Sequence, residues 1–83
     1  MYSVYAIYNK KNNKIYVGQT EDLKTRIDLH NNKKFVNSYT SRFEGEWTLI
    51  YSENTLDRKN ALIREKQLKS YRGRQFIKKH IPQ

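Results

Sequence analysis

Apolar and aromatic side chains come in short bursts separated by polar stretches, and the spacing within each burst indicates what it forms. Residues 4–8 and 15–17 are β-branched and aromatic except for Ala6, the composition of strands. Residues 9–14 between them are only Asn and Lys, which suits a turn. Together they predict a β-hairpin. Alternation puts Val4, Ala6 and Tyr8 on one face of the first strand and Tyr5 and Ile7 on the other. In the second strand Tyr16 and Gly18 share a face opposite Ile15 and Val17. Both faces carry apolar or aromatic groups, so the hairpin is expected to be covered on both sides.

The next burst has helical spacing. Thr20 reads as an N-cap, with Glu21 and Asp22 at the positive end of the helix dipole, and the helix is predicted over residues 21–31. At 100° per residue, Leu23, Ile27 and His30 share one face, with Arg26 at its rim and four residues before His30. His30 is either a hydrogen-bonded core histidine or a chemical group; Arg26 is either a snorkelling surface arginine or a functional cation.

Residues 31–46 read as a long polar loop in which Lys33, Lys34 and Arg42 lie among Ser38, Tyr39, Thr40, Ser41 and Phe43. Such a mixture suits contacts to phosphates and unstacked bases, or else Phe35, Tyr39 and Phe43 cap the core. Gly45 is a candidate end to the loop. A third strand is predicted over 47–51, with Trp47, Leu49 and Tyr51 on one face, followed by a connection over 52–56.

A second helix is predicted over 57–71, capped by Thr55 or Asp57, with Ala61, Leu62 and Leu68 as its apolar arc. Glu65 falls inside that arc and is the only acidic residue after Asp57. An inward carboxylate must be paired or hold a metal, because an uncompensated buried charge costs several kcal/mol. An ion pair, for instance to Arg26, and a metal ligand both remain open. Gly73 suits the C′ position that closes this helix. A short terminal helix is expected over 74–80, with Phe76 and Ile77 packing, Lys78 and Lys79 outward, and Pro82 as its stop.

Eighty-three residues without a repeat, linker or low-complexity tract imply one domain over 1–83. The chain has no cysteine, hence no disulfide or thiolate metal site, and two histidines do not make a structural zinc site. No apolar stretch is long enough to cross a membrane and no signal-peptide core is visible, so a cytoplasmic location and no membrane partner are expected. Charge changes the picture most. Seventeen Lys and Arg against eight Asp and Glu give +9, an excess that attracts polyanions, nucleic acid foremost. Lys33, Lys34, Arg42, Lys69, Arg72 and Arg74 are the candidate nucleic-acid contacts.

Two hairpin tyrosines, Tyr8 and Tyr16, join Arg26, His30 and Glu65 as a constellation sufficient for phosphodiester hydrolysis. Mg²⁺ takes oxygen ligands and keeps several waters, so one carboxylate can anchor it, and the ion stabilises charge on the phosphate and leaving oxygen. Arg26 suits a non-bridging oxygen. A tyrosine, with an ordinary pKa of about 10, becomes a base only where nearby cations lower it.

Ala6-Ile7-Tyr8 and Tyr16-Val17-Gly18, followed by Arg26, His30, the 47–51 segment and the helix bearing Glu65, resemble the GIY-YIG nuclease family over nearly the whole chain. The likeness is to small stand-alone members and to the nuclease domain of bacterial excision repair and phage homing enzymes. It implies an α+β fold of order β-β-α-β-α-α, a three-stranded antiparallel sheet flanked by helices. It also implies a Mg²⁺- or Mn²⁺-dependent endonuclease acting on DNA. Glu65 would bind the metal, Arg26 would contact the phosphate, Tyr8 and Tyr16 would shape or activate the water, and His30 would assist. Ala6 and Val17 depart from the signature without removing a chemical group. No second recognition module is visible, so structure-selective or partner-directed cleavage is expected, with single-stranded or branched DNA as substrate. The alternative is a binding module that keeps the fold, lacks catalysis and docks nucleic acid or a protein.

Overall fold

The computed structural model describes residues 1–32 and 42–82. Its elements run β1 (Tyr2–Asn9), β2 (Lys14–Thr20), α1 (Leu23–Asn31), β3 (Trp47–Thr55), α2 (Arg58–Lys69) and α3 (Tyr71–Lys78). The three strands form one antiparallel sheet in the order β2-β1-β3, the α+β arrangement expected.

Asparagines build the hairpin turn. The buried Asn9 side chain accepts from the Asn12 N–H at 3.0 Å, an Asx-type turn, and Asn13 takes the left-handed conformation at φ 54°. The central strand β1 is buried on both faces, as alternation implied. Val4 and Ala6 pack with Val17, Ala61, Leu68 and Ile77 beneath α2 and α3. Tyr5, Ile7 and Trp47 form a second core on the other side, with Tyr16, Leu23 and Ile27 around it.

Helix α1 begins later than predicted. Asp22, not Thr20, is its N-cap: the carboxylate accepts from the Thr25 N–H at 3.1 Å and from its hydroxyl at 2.8 Å. Thr20 instead accepts from the Asp22 N–H at 3.1 Å, which steers the chain into that cap. The other end of α1 is tied to the sheet by Asn31. Its amide donates to the Trp47 carbonyl at 3.1 Å and accepts from the Trp47 N–H at 2.7 Å.

Strand β3 runs on to Thr55 where a connection was expected, because it pairs with β1 as far as Tyr2. A bulge also breaks its alternation: Ala6 pairs with Tyr51 but Ile7 with Leu49, leaving Ile50 as the extra residue. Trp47 therefore belongs to one core while Ile50 and Tyr51 both pack on the other, contrary to the shared face expected for Trp47, Leu49 and Tyr51.

Asp57 caps α2 by accepting from the Asn60 N–H at 2.9 Å. Ala61 and Leu68 are buried as expected, but Leu62 is exposed. The helix ends at Ser70 rather than at Gly73. Ser70 donates its hydroxyl to the Gln67 carbonyl at 2.6 Å and accepts from the Gly73 N–H at 3.2 Å, so one residue stops α2 and starts α3. Gly73 lies inside α3 for a steric reason: a Cβ there would be 2.2 Å from the Gln67 carbonyl oxygen and 2.4 Å from the Leu68 Cα. The glycine lets the two helices meet at a corner.

Candidate active site

Antiparallel pairing sets Tyr5 opposite Gly18 and Ile7 opposite Tyr16, so Tyr5 and Tyr16 are diagonal neighbours on the α1 side of the sheet. Their rings are 6.4 Å apart, centre to centre. Helix α1 lowers His30 onto both, with ring separations of 6.0 Å from Tyr5 and 5.1 Å from Tyr16. The Tyr5 hydroxyl and His30 Nε2 are 2.9 Å apart, and both residues are buried. When the neutral imidazole carries its proton on Nδ1, Nε2 accepts from the phenol. Gly18 makes room for this pair, since a Cβ there would fall 2.7 Å from the Tyr5 hydroxyl oxygen.

Burial pushes the Tyr5 phenol well above its ordinary pKa of 10.0. Tyr16 and Glu65 push it the same way, and the Arg26 cation opposes them. Tyr5 is thus a neutral phenol rather than a phenolate base. The same interactions place Arg26 and Glu65, from helices on opposite faces of the sheet, within electrostatic reach of one phenol.

Arg26 is half-buried at the rim of α1, one turn before His30. The Glu65 side chain is only 20% exposed, as its place in the apolar arc of α2 predicted, and it pairs with Lys69 Nζ at 2.8 Å. Lys69, one turn along the same helix, thus supplies the ion pair for which Arg26 was one possible partner.

Tyr8 is the candidate the fold does not bring to this cluster. It pairs with Ile15, whose side chain packs under α2 and α3, and so points to the opposite face of β1 from Tyr5. Its hydroxyl donates to Asn13 Oδ1 at 2.9 Å at the exposed turn. Tyr5, not among the expected site residues, takes the place by His30 and Tyr16. The signal lay in the alternation, which groups Tyr5 with the face that buries Ile7.

Beside the cluster, a groove of about 740 Å³ runs along edge strand β2 toward α3. Tyr16 lines it, together with Lys14, Lys69, Arg74 and Lys78, over an apolar floor of Ile15, Val17 and Ile81. Lys69 and Arg74 were expected at a nucleic-acid surface; Lys14 and Lys78 were not singled out. Arg42 and Arg72 are exposed but do not line the groove, and Lys33 and Lys34 lie outside the described residues.

The donor set decides which metal fits. Among the described residues no three His, Cys, Asp or Glu side chains converge. Glu65, a half-buried carboxylate beside a groove, suits a hard divalent cation that keeps its waters and takes further oxygens from a phosphate. Among the described residues no helix is long and apolar enough to cross a membrane.

Residues 1–79 match the model of the GIY-YIG catalytic domain. The solution NMR structure of a UPF0213 protein from Bacillus halodurans is similar in fold, with a TM-score of 0.53 and 25% identity over 93% of this chain and 82% of that one. No curated protein matches significantly.

Proposed function

Since the chain belongs to the GIY-YIG family, whose domain is of nuclease type, we propose that it is a divalent-cation-dependent endonuclease hydrolysing phosphodiester bonds in DNA. In this reading residues 1–83 form one catalytic domain, structure-selective or weakly specific, that acts in the cytoplasm and takes further specificity from a protein partner. The observation that carries it is the buried Tyr5–His30–Tyr16 cluster, beside a groove lined by Tyr16 and by Lys69, the ion-pair partner of Glu65.

Each side chain has a task that follows from its placement. Arg26 holds a non-bridging oxygen of the scissile phosphate through its guanidinium. Tyr16, half-buried and lining the groove, hydrogen-bonds the attacking water and aims it at phosphorus. Tyr5 keeps its proton and donates to His30 Nε2, which fixes the imidazole against Tyr16. Tyr8 has no task in this reading because it lies on the opposite face of β1, and Tyr5 takes the place beside His30 and Tyr16. Glu65 would hold Mg²⁺ or Mn²⁺. The bound ion would offset negative charge on the phosphate and leaving oxygen.

Purified protein incubated with Mg²⁺ or Mn²⁺ and a panel of single-stranded, duplex, flapped and junction DNAs, plus RNA, is expected to cleave at least one DNA form. Glu65→Gln is expected to abolish cleavage while binding persists. Undiminished cleavage by Glu65→Gln would refute the metal role, and binding without cleavage of any substrate would establish the module without catalysis.

A further inference from the structure

We propose that the groove between β2 and α3 seats the phosphate backbone of a polynucleotide strand, and that Lys69 makes strand binding and cation binding at Glu65 reinforce each other. The inference deepens the proposed function and rests on it for the cation at Glu65.

Among the described residues the groove has four cations and no carboxylate on its walls. Lys14 comes from the hairpin side; Lys69, Arg74 and Lys78 come from the helical side. Arg74 donates from Nε to the Lys69 carbonyl at 3.2 Å, which steadies the guanidinium while the donors of its two terminal nitrogens serve a phosphate. Ile15, Val17 and Ile81 give the floor an apolar surface suited to sugar and base faces. About 740 Å³ houses a short stretch of one strand. An acidic peptide would also answer the charge, but it would not use an apolar floor as sugar and base faces do.

Lys69 belongs to two sites at once. Lys69 lines the groove, and its ammonium lies 2.8 Å from Glu65 Oε2. A divalent cation at Glu65 competes with that ammonium for one carboxylate. A phosphate in the groove offers Lys69 another anion, and the half-exposed pair it leaves is weak. The exchange vacates Glu65 for the cation. By linkage, the cation sends Lys69 toward the phosphate by the same factor.

The test reads binding, not turnover. A labelled single-stranded oligonucleotide is titrated in EDTA at several salt concentrations against wild type and the Lys14→Gln/Lys78→Gln double variant, with folding checked by circular dichroism. Two lost phosphate contacts are expected to lower the log–log salt slope by about 1.4, at about 0.7 per contact on a single strand. An unchanged slope would overturn the groove assignment, as would equal competition by polyglutamate of the same length. Mn²⁺ binding is then followed by electron paramagnetic resonance with and without a phosphorothioate oligonucleotide, after subtraction of Mn²⁺ bound by the oligonucleotide itself. Wild type is expected to gain at least about fivefold in Mn²⁺ affinity. Lys69→Met is expected to bind Mn²⁺ more tightly alone and to gain less than twofold. No gain in wild type, or an equal gain in both, would overturn the coupling. Undiminished Mn²⁺ binding by Glu65→Gln would overturn it too. Absence of cleavage with these binding results intact would count against the nuclease reading and leave the groove and the coupling standing.

Discussion

Gly18 shows how one missing side chain organises a site. Tyr5 crosses the space that a Cβ at Gly18 would occupy, and only there does its hydroxyl meet His30. The tripeptide read from the sequence ends at Tyr8, whereas strand parity puts Tyr8 on the far face from His30 and Tyr16. Arg26, His30 and Glu65 were readable from helical spacing because each helix has a single buried stripe. The groove was not readable: Lys14 and Lys78 are 64 positions apart and meet only through the packing of α3 against the hairpin edge. If the cluster is assigned correctly, Tyr8→Phe leaves the cleavage rate within about twofold of wild type. Tyr16→Phe lowers kcat by about 10²-fold, near the lower bound for a positioned proton-handling group. Single-turnover rates on one DNA substrate separate the two.

Elements were easier to foresee than their ends. Hairpin, three strands and three helices follow from apolar spacing, but their boundaries turn on side-chain choices that spacing does not encode. Asp22 displaces Thr20 as a cap because its two oxygens serve both the N–H and the hydroxyl of Thr25. The bulge at Ile50 moves Tyr51 across the sheet, where it meets Phe76 edge to face at 5.2 Å between ring centres and donates to Glu53. Gly73 looked like a terminator because glycine so often ends helices, yet here it answers to a neighbouring backbone rather than to its own φ. Gly73→Ala must move Gln67 and Leu68, and overpacking of this kind costs about 1–3 kcal/mol. Chemical denaturation is expected to show that loss, with Ser70→Gly the milder lesion.

Seen entire, the protein is a sheet whose central strand is hidden on both sides, in a chain of net charge +9. Its alkaline limit follows from Tyr5. The folded-state pKa lies above the ordinary 10.0, so the stabilisation is fully present below pH 10 and is lost as pH rises from there toward the folded-state value. Over that window stability is expected to fall by up to about 1.4 kcal/mol per pH unit on account of this one group. Denaturation midpoints from pH 9 to 11 for wild type and Tyr5→Phe check this. The variant is less stable at pH 9 and its midpoint declines less steeply above pH 10. Tyr2 and Tyr51, whose pKa values are also raised, remain in both proteins and cancel in the comparison.

The corner at Ser70 leaves no slack between the two helices, and Lys69 stands on one side of it while Arg74 and Lys78 stand on the other. The separation of those positive charges is therefore that of a rigid ruler. One added residue at the corner would turn the last helix by about 100° about its axis. Arg74 and Lys78 would swing out of line with Lys69, while the phenols and the imidazole across the sheet would stay where they are. Cutting chemistry and strand grip could then drift apart through a change in length that alters no side chain in either.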